Sequence, residues 1–167
     1  MITYISGGER SGKSSYAQCM ALELSDHPIY LATAKAHDSN FEERIKRHQA
    51  ERDERWTNIE EQFDLSSVLP SDRIVVIDCV TLWLSNFFSK TKSNRNEALA
   101  LAKAEFNKLL NYSGHLIFIS NEIGMGLHGD TQIGRDFVEV QGWINQHIAQ
   151  AANTAYFMVS GLPIKLK

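Results

Sequence analysis

The sequence predicts an α/β fold over residues 1–167 as one domain: a mostly parallel sheet with helices on both faces. Short, nearly continuous apolar runs alternate along the chain with longer stretches of helical periodicity, the pattern of strands buried on both sides. Residues 7–14 read Gly7-Gly8-Glu9-Arg10-Ser11-Gly12-Lys13-Ser14 and match the phosphate-loop pattern G-x-x-x-x-G-K-[ST] at every fixed position. That loop lies between a β-branched run and a helix candidate, the order in which such a loop works.

The elements follow in order. Ile2-Thr3-Tyr4-Ile5-Ser6 reads as a buried first strand, and Ser15 to Leu24 as a helix with Ala17, Met20, Ala21 and Leu24 along one face. Pro28 to Thr33 predicts a second strand. Residues 39 to 55 form a long polar helical stretch with Phe41, Ile45 and Trp56 as its few apolar anchors. Arg73 to Asp78 predicts a third strand, followed by an apolar helix from Thr81 to Phe88. Thr91 to Asn96 is a polar connector, then Glu97 to Leu110 an Ala/Leu-rich helix. His115 to Ser120 predicts a fourth strand, Gly124 to Gly134 a Gly-rich loop, and Arg135 to Ala152 a further helix. Ala155 to Val159 is a fifth strand, with Leu162 to Leu166 a short edge strand after a turn at Gly161. No repeat or low-complexity segment interrupts this order.

Composition narrows the function classes. Hydrophobic residues at 43% and charged residues at 22% are ordinary for a globular protein with a full core. A net charge of -3 gives no electrostatic footprint for DNA or RNA, so no nucleic-acid partner is expected. No apolar stretch approaches the roughly 20 residues of a membrane span. With a first strand expected from Ile2 onward, no signal or transit peptide is expected. Cys19 and Cys79 lack metal-ligand spacing, and two such thiols fit a reducing cytoplasm.

In the phosphate-loop chemistry, the backbone N–H groups of residues 7–14 and the dipole of the following helix cradle the phosphates of a nucleoside triphosphate. Lys13 reaches the terminal phosphates, and the Ser14 hydroxyl ligates Mg²⁺. In parallel sheets the ligand lies beyond the carboxyl ends of the strands, so residues just past each strand are the remaining candidates. Asp78 ends the third strand where an acidic Mg²⁺ partner belongs, with capping of the next helix as the alternative. Asn121 and Glu122 leave the fourth strand at the same rim, as second-substrate contacts, as a base, or as ligands of loop backbone. Ala32, Thr33 and Ala34 leave the second strand there.

The polar stretch from Arg44 to Arg55 packs charges of both signs around one histidine, His48. Spacing alone reads it as a solvated helix with His48 on its surface. A neutral imidazole held over the nucleotide can also attack phosphorus and form a covalent nucleotidyl intermediate.

The chain resembles the bifunctional adenosylcobinamide kinase / adenosylcobinamide-phosphate guanylyltransferase family of cobalamin biosynthesis. Residues 7–14 are similar to its G-G-x-R-S-G-K-S. Arg44-Ile45, His48, Arg52, Trp56 and Glu60-Glu61 are similar to its R-I-x-x-H-x-x-x-R-x-x-x-W segment and the acidic pair beyond it. Residues 78–86, 120–126 and 159–167 resemble further signatures of the family, in order along the chain. The resemblance implies a RecA-like P-loop domain with two activities. One phosphorylates the aminopropanol hydroxyl of adenosylcobinamide with ATP or GTP; the other transfers GMP from GTP to that phosphate and releases pyrophosphate. It implies that His48 is the residue guanylylated. It places nucleotide contacts at residues 7–14, Ala32 to Ala34, Gln49, Ala50, Glu51, Arg52, Glu60 and Asp78, and it implies a homotrimer acting on a corrinoid. Two departures stand out: His128-Gly129-Asp130-Thr131 replaces a proline-acidic stretch, and Gln62 replaces a proline. A single-activity P-loop small-molecule kinase would not need His48. A non-catalytic GTP-binding switch would be expected to lack the lysine or the acidic metal partner.

Overall fold

The computed structural model describes residues 1–34 and 52–167. Seven strands form one sheet in the order β3-β2-β4-β5-β1-β6-β7. They are β1 (Ile2–Gly7), β2 (Ile29–Ala32), β3 (Thr57–Glu60), β4 (Ile74–Asp78), β5 (His115–Asn121), β6 (Thr154–Val159) and β7 (Leu162–Lys165). All neighbouring pairs are parallel except β6 and β7. Among the described residues the helices are α1 (Lys13–Leu24), the single-turn α2 (Leu65–Val68), α3 (Val80–Lys90), α4 (Arg95–Leu109) and α5 (Gln132–Ala151).

Period-two alternation divides each central strand between two cores. Tyr4, Leu31, Val75, Ile77, Leu116 and Phe118 face one side, where α3, α4 and α5 supply Trp83, Leu84, Phe106 and Ile144. Ile5, Tyr30, Val76, Ile117 and Ile119 face the other, against Ala17 and Ala21 of α1 and the Trp56 ring. The small alanines let α1 approach the sheet closely, which holds the phosphate loop at its N-terminus against the strand ends.

Some boundaries differ from expectation for local reasons. The Asn94 side chain accepts from Glu97 N at 3.2 Å and starts α4 at Arg95, inside what reads as connector. Thr131 does the same for α5, accepting from Gly134 N at 3.0 Å, so the helix begins at Gln132 rather than Arg135. Within the polar stretch, residues 52–55 form a bend and turn, not the end of a helix. Asp53 takes the backbone N–H of Arg55 at 3.0 Å and its guanidinium at 2.7 Å, which closes the turn. The chain then enters β3, an edge strand the sequence did not announce. Thr-Asn-Ile-Glu has one half-buried apolar residue and pairs only with β2.

Ser160 and Gly161 join β6 to β7 as a two-residue hairpin loop with φ of 51° and 83°, the type I′ turn that matches strand twist. No described helix is long and apolar enough to cross a membrane.

Candidate active site

The phosphate loop leaves β1 through a backbone passage that only glycine fits. A Cβ on Gly7 would lie 2.6 Å from Met158 O and 2.6 Å from Ser11 Oγ. Gly12, the N-cap of α1, has φ 93° and ψ 9°, and a Cβ there would lie 3.1 Å from the Gly161 Cα. That contact comes from the β6–β7 hairpin, whose Gly161 N–H donates to Ser11 O at 3.0 Å. The turn at the far edge of the sheet thus braces the loop, a tertiary role invisible in the motif. Lys13 is buried at 7% exposure, and its Nζ donates to Gly8 O at 2.6 Å, which places the ammonium within the curve of the loop. Ser11 Oγ is buried beside it without a hydrogen-bond partner among the described residues.

Asp78 closes the other side. Its Oδ2 accepts from Ser14 Oγ at 2.8 Å and from the Tyr30 hydroxyl at 2.5 Å. The capping alternative fails, because the N-cap of α3 is Cys79 and it makes no side-chain cap bond. Burial, and secondly the Asp78 charge, raise the Tyr30 phenol far above its ordinary range. Burial likewise pushes the Cys79 thiol up to about 12, so it is an inert thiol.

Register sets the rest of the rim. Ala32 pairs with Glu60 on one side and Asp78 on the other, so all three stand abreast. Glu60 is exposed there, whereas Glu61 turns back to accept the N–H groups of Phe63 and Asp64 at 2.8 and 3.0 Å. Thr33 is fully buried. Its hydroxyl donates to Cys79 O at 2.8 Å and accepts from Cys79 N at 3.0 Å. The Thr33 hydroxyl therefore holds the corner after Asp78, while Ala32 and Ala34 on either side are half-buried. Gln62 contributes a backbone carbonyl to Asn86 Nδ2 at 3.1 Å, a bond any side chain at that position permits.

Asn121 pairs with Gly7, and the Glu122 N–H donates to Gly7 O at 3.0 Å, so both border the loop. A buried network that the sequence reading missed supports this end of β5. Asn145 Oδ1 accepts from Ser120 Oγ at 2.6 Å and from Gln141 Nε2 at 2.8 Å, and its Nδ2 donates to Asn121 O at 3.2 Å. Polar residues at 141 and 145 on an apolar helical face were the available signal. Arg52 stacks its guanidinium 3.8 Å from the Tyr30 ring centroid. His48, Gln49, Ala50 and Glu51 lie outside the described residues.

A loop amide cradle with an ammonium inside it neutralises and orients a polyphosphate. A hydroxyl and a carboxylate from separate elements meet here, both of them hard oxygen groups of the kind divalent cations take. The fold and this site together place the molecule among the P-loop nucleotide-binding proteins.

Solved structures agree at the level of fold alone. The flagellar accessory protein FlaH of Methanocaldococcus jannaschii superposes with TM-score 0.50 at 14% identity, over 99% of this chain and 77% of that one. A Pyrococcus horikoshii OT3 protein gives 0.52 at 8% identity, over 99% and 85%. Sequence comparison is narrower. Residues 3–166 match the family described as cobinamide kinase / cobinamide phosphate guanyltransferase. A "bifunctional adenosylcobalamin biosynthesis protein CobP" of Pseudomonas aeruginosa PAO1 is 36% identical, over 98% of this chain and 95% of its own length. A "bifunctional adenosylcobalamin biosynthesis protein CobU" of Escherichia coli K12 is 29% identical over the whole of both. The chain belongs to the cobinamide kinase / cobinamide phosphate guanyltransferase family, the enzymes of adenosylcobalamin biosynthesis.

Proposed function

We propose that this chain performs both transfers on one corrinoid substrate, using the phosphate loop for the first and His48 for the second. In the first, the aminopropanol hydroxyl of adenosylcobinamide attacks the γ-phosphorus of ATP or GTP, and the nucleoside diphosphate leaves. The loop amides and Lys13 hold the phosphates and meet the charge that develops on the oxygens between them. Glu122, which borders Gly7 and whose Oε1 also accepts the Gly124 N–H at 3.0 Å, accepts the hydroxyl proton. In the second, a His48 ring nitrogen attacks the α-phosphorus of GTP and pyrophosphate leaves. The cobinamide phosphate then displaces the histidine to give adenosylcobinamide-GDP.

The observation that supports this reading best is the convergence of Lys13, Ser14 and Asp78, within a family that pairs the two activities. The Ser14–Asp78 pair fits Mg²⁺, since its donors are oxygens and the phosphates would complete the shell. The described residues contain no cluster of three or more His, Cys, Asp or Glu side chains that would hold an ion by itself. When bound, Mg²⁺ supplies neutralisation of the β- and γ-phosphate charge. Nucleotide contacts from Gln49 to Arg52 and at Glu60, a homotrimeric assembly and a cytoplasmic setting complete the reading, on the strength of the family resemblance.

The test is a two-label assay on purified protein. Adenosylcobinamide with γ-labelled ATP or GTP is expected to give labelled cobinamide phosphate. The unlabelled phosphate with α-labelled GTP is expected to give labelled adenosylcobinamide-GDP. Transfer of the γ-label without transfer of the α-label would leave a single-activity kinase instead.

A further inference from the structure

The Tyr30 side chain is gripped on every side. It is 4% exposed, edge-on to Trp56 with ring centroids 6.0 Å apart, and covered by Arg52, whose Nε donates to Asn58 Oδ1 at 2.8 Å on β3. Its register partner is Val76, two residues before Asp78 on β4, so the phenol reaches forward along one face of the sheet to the carboxylate. The Tyr30 and Ser14 hydroxyls converge on the same oxygen, Oδ2, and neither bonds Oδ1.

The phosphate-loop motif contains no tyrosine, and the loop does not need one to bind phosphates. Asp78 does need a fixed orientation. An aspartate at a strand end has several staggered rotamers open to it, and Ser14 alone holds it by one rotatable hydroxyl. Ser14 stands on α1 and Asp78 on β4, with β5 between β4 and the strand that feeds α1. The pair thus joins two separate elements through one rotatable contact. A rigid phenol wedged between Trp56 and Arg52 on neighbouring backbone removes that freedom.

We propose that Tyr30 is a positioning residue for the divalent cation: it clamps Oδ2 of Asp78, so that the carboxylate presents Oδ1 toward the nucleotide-bound ion. This rests on the reading of Ser14 and Asp78 as the Mg²⁺ pair. Arg52 and Trp56 serve the same end by holding the ring, which gives a function to an arginine–aromatic stack on the rim of the site. Hydrogen bonds that orient a metal-binding carboxylate typically contribute about 10–100-fold to metal affinity.

The experiment measures binding of a fluorescent N-methylanthraniloyl GTP to the full chain while Mg²⁺ is titrated. Tyr30→Phe keeps the ring, the Trp56 contact and the Arg52 stack and removes one oxygen, and thermal melting checks that it folds. Tyr112→Phe is the control: it also loses a tyrosine hydroxyl's hydrogen bonds, to Pro70 O at 2.6 Å and from Arg73 N at 3.2 Å, but at the opposite end of β4. The expected result is a Mg²⁺ midpoint raised about 10–100-fold in Tyr30→Phe, full recovery of nucleotide binding at saturating Mg²⁺, and no shift in Tyr112→Phe. A merely structural tyrosine would weaken binding equally at all Mg²⁺ concentrations. That outcome, or an unchanged midpoint, overturns the inference. Wild-type binding with no Mg²⁺ dependence would instead overturn the metal reading of Ser14 and Asp78, and the inference with it.

Discussion

Gly12→Ala tests whether the β6–β7 hairpin braces the phosphate loop. Two costs follow from the structure. At φ 93° the backbone is left-handed, and the new Cβ meets the Gly161 Cα at 3.1 Å, so either the loop or the turn must move. If the turn moves, the Gly161 N–H to Ser11 O bond at 3.0 Å is lost. The left-handed strain is worth roughly 1–2 kcal/mol and the bond about 0.5–1.5, giving about 1.5–3.5 kcal/mol in all. For a chain of this size that lowers Tm by about 3–14 °C. If the loop moves instead, a phosphate loses one charge-assisted amide bond, and nucleotide binding weakens roughly ten- to hundredfold. Gly8→Ala is the internal control, because a Cβ at Gly8 meets nothing within 4 Å, and its Tm is expected to stay at the wild-type value. Calorimetry and nucleotide titration on the three proteins decide the matter. A Gly12→Ala protein with wild-type Tm and wild-type affinity would refute the brace.

Other perturbations probe neighbouring parts. Lys13→Ala is expected to leave the fold intact and lower both transfers by roughly 10²–10³-fold, the scale of losing one preorganised charge-stabilising donor; wild-type turnover would remove the loop from the mechanism. Asp78→Asn keeps the shape and removes a charge worth about 2–4 kcal/mol at contact range, so the Mg²⁺ midpoint is expected to rise roughly 30- to 700-fold. An unchanged Mg²⁺ titration would reduce Asp78 to a structural residue. Asn145→Ala strips partners from Ser120, Gln141 and the Asn121 carbonyl and is expected to cost about 1–3 kcal/mol in urea unfolding. A loss below about 0.5 kcal/mol, the usual spread of surface substitutions, would show that the network does not support β5.

What was legible in the sequence was what local chemistry dictates. The apolar runs of β1, β4 and β5 can only be buried strands, and the glycine-lysine-serine spacing can only follow one of them. β3 was not legible, since Thr57–Glu60 becomes a strand through pairing with β2 and not through its own composition. The capping of α4 and α5 was present in Asn94 and Thr131, but each stood among other polar residues that are equally good loop formers. Asp78 was found as a strand-end acid. Its partner Tyr30 was not, because a tyrosine in an apolar run reads as core, and only the register brings its hydroxyl to the carboxylate. The bracing role of Gly161 is a contact across 149 positions of sequence, from Gly12 to Gly161, and no local pattern encodes it. His48 was legible only through the family resemblance; spacing alone leaves it a surface histidine.

The central claim is that one chain joins phosphate-loop chemistry to a histidine nucleophile, and the guanylyl adduct tests it most directly. The protein is incubated with α-labelled GTP and Mg²⁺ without corrinoid, denatured, and the labelled fraction is split between mild acid and base. Lys46, Arg47 and Arg52 flank His48 in sequence, and positive charge held beside the ring would favour the neutral imidazole and attract the triphosphate. The account predicts a GMP adduct that is stable in base, lost in acid as a phosphoramidate is, and absent from His48→Ala, with most of the kinase activity of that variant retained. A stable adduct in His48→Ala, or guanylyl transfer at the wild-type rate, would contradict it.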